Sequence, residues 1–346
     1  MGNSSHLSIE DEITELLPAL TGVSQDLDGS RILISGGTGF VGQWLISALE
    51  YAKRESSIKF DIDVISRYGR ENSPFNSEIT GSLNWILKDF TKDTKLLREP
   101  YSHYILGSTP SVSSRGSSDL SLVRDATING TRSVLDSIKM QGISGRVINL
   151  SSGAASSLEF REPKFEINVC PSEHFTNPAA NYAHAKLQSE KLISEASRDG
   201  ILSGCNLRLY AFAGPLLALD EHFAIGNFMS DAIKRLPINI NGNSSTLRSY
   251  MYPTDLVKWI LTVLVSDKTG TFNVGNPNPI SIGKLASTIS ELTSQTTVNF
   301  PQQEGEFTSY FPDTSLTEEM FGLNIEINLE LAILRWWNWL NKSALA

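Results

Sequence analysis

The amino-acid sequence predicts an α/β fold, in which a doubly wound parallel sheet is followed by a smaller C-terminal lobe. From residue 31 to about residue 210, short β-type runs alternate with helical stretches. Beyond residue 210, short helical stretches are separated by loops rich in glycine, proline and asparagine. Because parallel strands are joined by right-handed helical crossovers, the alternating half predicts a sheet with helices on both of its faces.

The predicted strands are short apolar runs bounded by polar residues, and the helices show apolar residues at helical spacing. The strand candidates are residues 31–35, 62–66, 84–87, 104–106, 146–150 and 206–209. The helix candidates are residues 41–52, 120–140 and 183–196, and in the lobe residues 223–235, 254–265 and 282–293. Residues 1–29 form an N-terminal extension whose helical pattern is interrupted at Pro18. We expect this extension to pack on the body of the protein or on a partner subunit.

Composition excludes several classes of function. The 346 residues carry a net charge of −9 and are 40% apolar, which is ordinary globular composition without the basic surface that nucleic acids or anionic membranes require. No apolar run reaches the ~18 residues of a membrane span, and the polar first ten residues predict no signal peptide. Cys170 and Cys205 match no metal-ligand spacing, so we expect no metal site and a cytoplasmic protein with reduced cysteines.

A glycine-rich turn directly follows the first strand, in the sequence SGGTGFVG. Gly36 permits a tight turn, Gly39 lets backbone amides approach a pyrophosphate, and Gly42 lets the next helix pack closely on the sheet. The strand before the turn and the helix after it favour a dinucleotide site over an ordinary turn. The cofactor candidates in the turn are Gly36, Thr38, Gly39, Phe40, Val41 and Gly42. Residues 30–210 therefore form a Rossmann-type domain and residues 211–346 a substrate-binding lobe, although some of their elements can interleave.

The second strand bears on the choice between NAD and NADP. An acidic residue at its tip would bind the ribose hydroxyls of NAD, whereas arginine suits the extra phosphate of NADP. The strand is predicted to end at Ser66 and Arg67, which favours NADP. The alternative is that Asp63 reaches the ribose of NAD and Arg67 is a solvated charge. Past the next two strands, further cofactor candidates are Asp89, for the adenine, and Leu106, Gly107 and Ser108.

Tyr182 and Lys186 form a Tyr-x-x-x-Lys pair at the start of a helix. Residues four apart share a helix face, and a lysine beside a tyrosine favours the phenolate, so Tyr182 becomes usable as an acid/base. Ser151 and Ser152 end the fifth strand, where a hydroxyl can hold a substrate oxygen against Tyr182. The alternative for both serines is that they only cap a turn.

With these motifs, residues 27–283 resemble the extended short-chain dehydrogenase/reductase family, also called the NAD-dependent epimerase/dehydratase family. The resemblance rests on SGGTGFVG, LSSGA, YAHAK, AFAGP and GNSSTLRSYMYPTDL. It implies that Tyr182 is the acid/base, that Lys186 holds the nicotinamide ribose and tunes Tyr182, and that Ser152 orients the reacting oxygen. Ser151 is the weaker candidate for that last role. It also implies a homodimer formed through helices 120–140 and 183–196.

The sequence departs from the family pattern at three places. Residues 155–157 replace the usual Val-Tyr-Gly, so the pocket lacks an aromatic hydroxyl there. Gly153 and Ala154 stand where the 4,6-dehydratases carry Asp-Glu, so the carboxyl pair for water elimination is absent. Thr127 falls where the family has an asparagine, and Asn129 lies at another helical angle.

The substrate candidates come from the lobe. By resemblance, Arg248 binds the diphosphate of a nucleotide sugar, a task that suits the fork of arginine, and its alternative is a surface arginine. Asn227 and Phe228 are candidates for polar and stacking contacts with the nucleoside. His222 is more simply a polar loop residue, and Asp255 a helix cap. Trp336, Trp337 and Trp339 are expected to be packing or interface residues.

The sequence therefore predicts an NADP-dependent 4-ketoreductase acting on a nucleotide diphosphate sugar, without nucleic-acid or membrane partners. An NAD-dependent 4-epimerase is the alternative, because it would use the same residues. A non-catalytic dinucleotide-binding regulator is a third hypothesis, and the complete Ser152, Tyr182 and Lys186 set speaks against it.

Overall fold

The computed structural model describes residues 9–89, 97, 99–107, 120–156, 178–219, 223–294, 297–303 and 305–345. Within these ranges the strands are β1 (Arg31–Ser35), β2 (Asp61–Ser66), β3 (Asn84–Leu87), β4 (His103–Leu106), β5 (Arg146–Ser152), β6 (Ser203–Leu209), β7 (Ile238–Asn239), β8 (Leu247–Arg248), β9 (Gly270–Val274), β10 (Ile280–Ser281), β11 (Val298–Asn299) and β12 (Ser309–Tyr310). The helices are α1 (Glu10–Thr14), α2 (Leu17–Asp26), α3 (Phe40–Glu55), α4 (Ser77–Ser82), α5 (Leu120–Gln141), α6 (Pro178–Arg198), α7 (Ala224–Ile233), α8 (Pro253–Val265), α9 (Ile282–Thr293), α10 (Ser315–Phe321) and α11 (Leu329–Leu345). Short 3₁₀ turns span Arg70–Asn72 and Gly153–Ala155.

The central sheet has seven parallel strands in the order β3-β2-β1-β4-β5-β6-β9. Its middle strands β1 and β5 are buried along most of their length, as expected of parallel strands covered by helices on both faces. The predicted α/β fold with a doubly wound parallel sheet is confirmed. The strand order reverses direction between β1 and β4, and ligands of such sheets bind at the carboxyl ends of the strands beside that point.

The sheet extends beyond the predicted boundary at residue 210. β9 pairs with β6, and α8 packs against α3. Residues 253–274 therefore belong to the part of the fold that contains the central sheet, and not to the lobe. Leu256 and Trp259 of α8 are buried in the same core as Ile32 and Ile34 of β1. The two parts of the fold therefore interleave along the chain.

The N-terminal extension packs on the body of the protein. Ile13, Leu16 and Leu20 are buried in the main core, and Arg335 of α11 pairs with Glu12 and Glu15 at 3.1 and 2.7 Å. Pro18 lies in the first turn of α2, where its missing N–H costs no hydrogen bond. The proline thus starts a second helix.

The lobe has its own apolar core, built by α7, α9 and α11. Trp336 is fully buried there, and Trp337 and Trp339 pack against that core in part. Beside it, β8 pairs with β10 and β12, and β7 pairs with β11. Cys205 is a buried free thiol, and Cys170 lies outside the described residues. Among the helices described, none has the length and hydropathy of a membrane span.

Candidate active site

The glycine-rich turn has the geometry of a phosphate cradle. Gly36 has a φ of +76°, which glycine adopts without strain. A Cβ on Gly42 would lie 2.4 Å from the Gly36 carbonyl oxygen, so α3 approaches the turn more closely than any side chain allows. Gly39 is the extended N-cap of α3 and makes no side-chain cap, which leaves the helix N-terminus open to an anion. The exposed turn, Thr38 included, therefore fits the pyrophosphate of a dinucleotide.

The tip of β2 carries Ser66 and Arg67, as the sequence predicts. The Arg67 guanidinium stacks over the Tyr68 ring, 5.2 Å from its centroid, and Ser66 accepts a hydrogen bond from the backbone N–H of Tyr68. Asp89 is half-buried just past β3. Arginine, and not a carboxylate, thus directly follows the end of β2.

Asp63 does not take part in this site. The residue is 1% exposed and lies in the middle of β2, where its carboxylate pairs with Arg31 at 2.8 Å and accepts hydrogen bonds from Tyr101 at 2.6 Å and Asn84 at 3.0 Å. The hypothesis that Asp63 binds the ribose of NAD is therefore wrong, because its carboxylate is buried and already accepts hydrogen bonds from Arg31, Tyr101 and Asn84.

The end of β4 opens onto a small cavity that reaches Lys186. Leu106 lines the cavity, and Gly107 donates a backbone hydrogen bond to Ser35 at the end of β1. Ser108 lies outside the described residues. The other side chains around this cavity are uncharged, namely Ser35, Ala126, Thr127, Thr131 and Asn149.

Ser152, Tyr182 and Lys186 come together where β5 meets α6. The Ser152 hydroxyl lies close enough to the Tyr182 hydroxyl to lower its pKa. The Lys186 ammonium donates to the Leu150 carbonyl at 2.7 Å and lies 5.8 Å from the centroid of the Tyr182 ring. Helix periodicity brings the tyrosine and the lysine onto one face of α6, and β5 carries the serine to the same point.

Burial shapes the titration of this group. Desolvation lowers the pKa of Lys186 to about 8, and the nearby charge of Glu190 acts in the opposite direction. Desolvation raises the pKa of Tyr182, and the hydrogen bond with Ser152 opposes that rise. A lysine that titrates near neutrality, next to a phenol, can support proton transfer to and from a substrate oxygen.

Ser151 points away from this group. Its hydroxyl donates to Glu190 at 2.5 Å, and the residue is 3% exposed. Neighbouring residues of a strand face opposite sides of the sheet, so only one of the two serines can face the substrate. The secondary assignment of Ser151 to the substrate is wrong for this reason.

Tyr310 completes the site and was missed by the sequence analysis. Its hydroxyl lies 3.5 Å from the Ser152 hydroxyl, and its ring packs on Tyr210 with 4.8 Å between centroids. It supplies an aromatic hydroxyl that the sequence after Ser152 lacks. Residues 309–310 carry no motif, and 158 positions separate Tyr310 from Ser152, so no local signal was available.

On the lobe side, Arg248 lies near Tyr310 and is half-buried. Its guanidinium donates to Thr308 Oγ1 at 2.9 Å and to the Leu247 carbonyl at 2.7 Å. In the described part of the chain it forms no ion pair with a carboxylate, and burial lowers its pKa. A positive charge held by neutral acceptors beside Tyr310 can bind a diphosphate.

The two nucleoside candidates on α7 differ. Asn227 is exposed, but Phe228 is 5% exposed and packs in the lobe core. The stacking role of Phe228 is wrong, because Ile225, Phe228, Met229 and Ala232 form the apolar stripe of α7. The helical spacing of this stripe was a readable signal. His222 lies outside the described residues.

Asp255 has a structural role other than a cap. Its carboxylate accepts hydrogen bonds from the backbone N–H groups of Glu326 and Ile327, which fixes the segment that leads into α11. Burial raises its pKa to about 6. Within the described ranges, no cluster of histidine, cysteine or acidic residues has the arrangement of a metal site.

Comparison with known proteins gives one family and one fold. A model of the NAD dependent epimerase/dehydratase family matches residues 32–275. UDP-glucuronic acid decarboxylase 2 of Arabidopsis thaliana is 23% identical over 306 residues, which cover 87% of this chain and 66% of that protein, just under two thirds of its length.

Two solved structures share the fold. An epimerase from Methanothermobacter thermautotrophicus, Mth375, superposes with a TM-score of 0.77 at 18% identity, covering 96% of this chain and 97% of its own. MoeE5, in complex with UDP-glucuronic acid and NAD, has a TM-score of 0.71 at 20% identity, covering 90% of this chain and 99% of its own.

Proposed function

The chain belongs to the NAD-dependent epimerase/dehydratase family, and from that premise we propose that it reduces a 4-keto nucleotide diphosphate sugar with NADPH. The main support for NADPH as the reductant is the residue at the tip of β2. Arg67 follows the strand there, while Asp63 is withdrawn into bonds with Arg31 and Tyr101. An arginine at this tip favours the extra phosphate of NADP, and a cellular NADPH pool favours net reduction.

The residues divide the proposed reaction among them. When bound, the dinucleotide supplies the hydride. The Tyr182 hydroxyl donates its proton to the oxygen of the former keto group, and Ser152 donates a hydrogen bond to the same oxygen. The Lys186 ammonium, beside the Tyr182 ring, stabilises the phenolate that remains.

The lobe holds the rest of the substrate in this proposal. Arg248 binds the diphosphate with donors that now reach Thr308 and Leu247. The Tyr310 hydroxyl, next to Ser152, contacts the sugar, and exposed Asn227 contacts the nucleoside. We also propose a homodimer through α5 and α6, which light scattering at micromolar concentration would contradict by showing a monomer.

A second candidate uses the same site for oxidation followed by re-reduction with retained NAD, as in 4-epimerisation or decarboxylation. It is favoured by the resemblance to UDP-glucuronic acid decarboxylase 2 and by the NAD and UDP-glucuronic acid bound in MoeE5. The same Tyr182 would first accept a proton from the sugar hydroxyl and later return it.

One experiment separates the two candidates. The dinucleotide that copurifies is identified, and the protein is then offered 4-keto sugars linked to UDP, dTDP or GDP together with NADPH or NADH. Faster loss of NADPH absorbance than of NADH absorbance supports the reductase. Conversion of UDP-glucose or UDP-glucuronic acid without added cofactor, by a preparation that carries NAD, supports the second candidate and refutes the first.

A further inference from the structure

A buried ion pair lies directly behind the acid/base group. Arg208 of β6 forms a bidentate ion pair with Glu190 of α6. Its Nε donates to Oε1 of the carboxylate at 2.9 Å, and its Nη2 donates to Oε2 at 2.7 Å. Both side chains are almost fully buried, at 3% and 5% exposure. Removing two charges from water costs several kcal/mol per ion, so such a pair is weak evidence for stability and calls for another explanation.

The pair reaches each element that carries the acid/base group. Glu190 accepts the Ser151 hydroxyl at 2.5 Å, next to Ser152 on β5. Arg208 also donates to the Ser156 hydroxyl at 3.2 Å, in the turn that follows β5. Tyr182, Lys186 and Glu190 are spaced four residues apart on α6 and therefore share one helix face.

Among the residues that the structure describes, Glu190 is the acidic group that acts on Lys186. On α6, the titratable groups that act on Lys186 are Tyr182 and Glu190. From β1, β4, α5 and β5, the side chains around the Lys186 cavity are Ser35, Leu106, Thr127, Thr131 and Asn149, which carry no charge. Arg208 of β6 contacts the far side of Glu190 and fixes the carboxylate in place.

We propose that Glu190 is a positioning residue of the acid/base site, whose carboxylate, fixed by Arg208 and Ser151, keeps Lys186 in its ammonium form next to Tyr182. The desolvation of Lys186 works against that form, and the Glu190 charge offsets it. Glu190 has no direct part in the proposed reaction and acts on it through Lys186. The inference rests on the proposed role of Lys186.

The test measures Lys186 itself and requires no substrate. The protein is labelled with ¹³Cε-lysine, the Lys186 resonance is identified by its absence in Lys186→Met, and the chemical shift is titrated with pH. Glu190→Gln should lower the midpoint of Lys186 by about one pH unit, since two charges one helical turn apart in a protein interact by more than that unit represents. Glu190→Asp, which keeps the charge, should restore a midpoint close to that of the unaltered protein.

Two further variants separate charge from folding. Glu190→Met combined with Arg208→Met leaves no unpaired buried charge, and it should lower the midpoint in the same direction as Glu190→Gln but by less, because the positive charge of Arg208 is removed as well. Asp255→Asn is the matched control, because it removes another buried carboxylate, on α8, and should leave the Lys186 midpoint unchanged. An unchanged midpoint in folded Glu190→Gln, or in the double variant, would overturn the proposal.

Kinetics then distinguishes the inference from the proposed function. In a preparation that turns over, the alkaline limb of kcat should move to lower pH in Glu190→Gln, with a smaller effect on KM. A shifted Lys186 midpoint without any turnover of 4-keto sugars would support the role of Glu190 and refute the reductase. Turnover of 4-keto sugars with an unshifted Lys186 midpoint in Glu190→Gln would support the reductase and refute the role of Glu190.

Discussion

Replacing Tyr182 with phenylalanine removes one hydroxyl from the centre of the site and keeps the aromatic ring. In the structure, that hydroxyl lies beside the Ser152 hydroxyl, and the Lys186 ammonium lies 5.8 Å from the centroid of the ring. The ring contact survives the substitution. Ser152 keeps the backbone N–H of Ala154 as a neighbour at 3.2 Å and Tyr310 at 3.5 Å. The free energy of unfolding should therefore fall by only about 1 kcal/mol, the net contribution of one hydrogen bond.

The effect on catalysis should be much larger than the effect on stability. Loss of general acid catalysis typically costs a factor of about 10²–10⁴, which is about 3–5 kcal/mol of transition-state stabilisation. The Tyr182 hydroxyl acts only when a proton moves, so the loss should fall on kcat more than on KM. In the proposed site, cofactor binding depends on the Gly36–Gly42 turn, Arg67 and Lys186, so the Kd of the dinucleotide should change by less than about threefold, under 1 kcal/mol.

The assay pairs steady-state turnover with a direct titration of dinucleotide binding on the same preparations. Lys186→Met is the informative comparison, because it should damage both turnover and cofactor binding. Loss of a general acid typically leaves no more than about a hundredth of the activity. If Tyr182→Phe retained more than about a tenth of the activity, Tyr182 would not be the acid/base. Tyr310 would then be the next hydroxyl to test, since it also lies beside Ser152.

Other substitutions test the cofactor site and one titrating group. Arg67→Asp should weaken NADPH binding by about 1.5–3 kcal/mol and leave NADH binding nearly unchanged, and equal affinities in the unaltered protein would contradict the NADP assignment. Gly42→Ala should destabilise the fold by about 1–3 kcal/mol in urea unfolding, because its Cβ would lie 2.4 Å from a carbonyl oxygen. Gly39→Ala is the control, since its Cβ would lie 3.4 Å from the same atom, and equal losses would refute the argument. For Asp255, whose pKa rises from 3.8 to about 6, the folded state binds more protons than the unfolded state between these values. Stability should therefore fall by up to about 3 kcal/mol as pH rises through that window, and unfolding curves of Asp255→Asn should lack this dependence.

Features that lie within one or two consecutive elements of the chain could be predicted from local sequence patterns. The glycine turn was recognisable because strand, turn and helix N-terminus follow one another without interruption. Tyr182 and Lys186 were recognisable because helical spacing alone places them on one face. The end of β2 at Ser66 was predicted as observed, and with it the position of Arg67.

Two errors came from local ambiguity that burial resolves. The sequence shows two adjacent serines at the end of β5, but strand alternation turns Ser151 away from Tyr182, and the Glu190 carboxylate that it contacts is 39 residues away. Asp63 looked available for a ribose because the sequence does not show that Arg31 and Tyr101 lie beside it. Phe228 was misplaced for a different reason, since its apolar helical stripe was present in the sequence.

The sequence by itself determined the parallel sheet, the dinucleotide turn and the pair of Tyr182 and Lys186, because short-range periodicity and turn chemistry specify them. Only the tertiary structure decided that β9 closes the sheet, that Tyr310 reaches Ser152, and that Arg208 fixes Glu190 behind Lys186. These contacts join residues that lie far apart in the chain, and their energies come from packing and burial that no local pattern encodes. The electrostatics of the site follow from the same cause, since burial sets the pKa of Lys186.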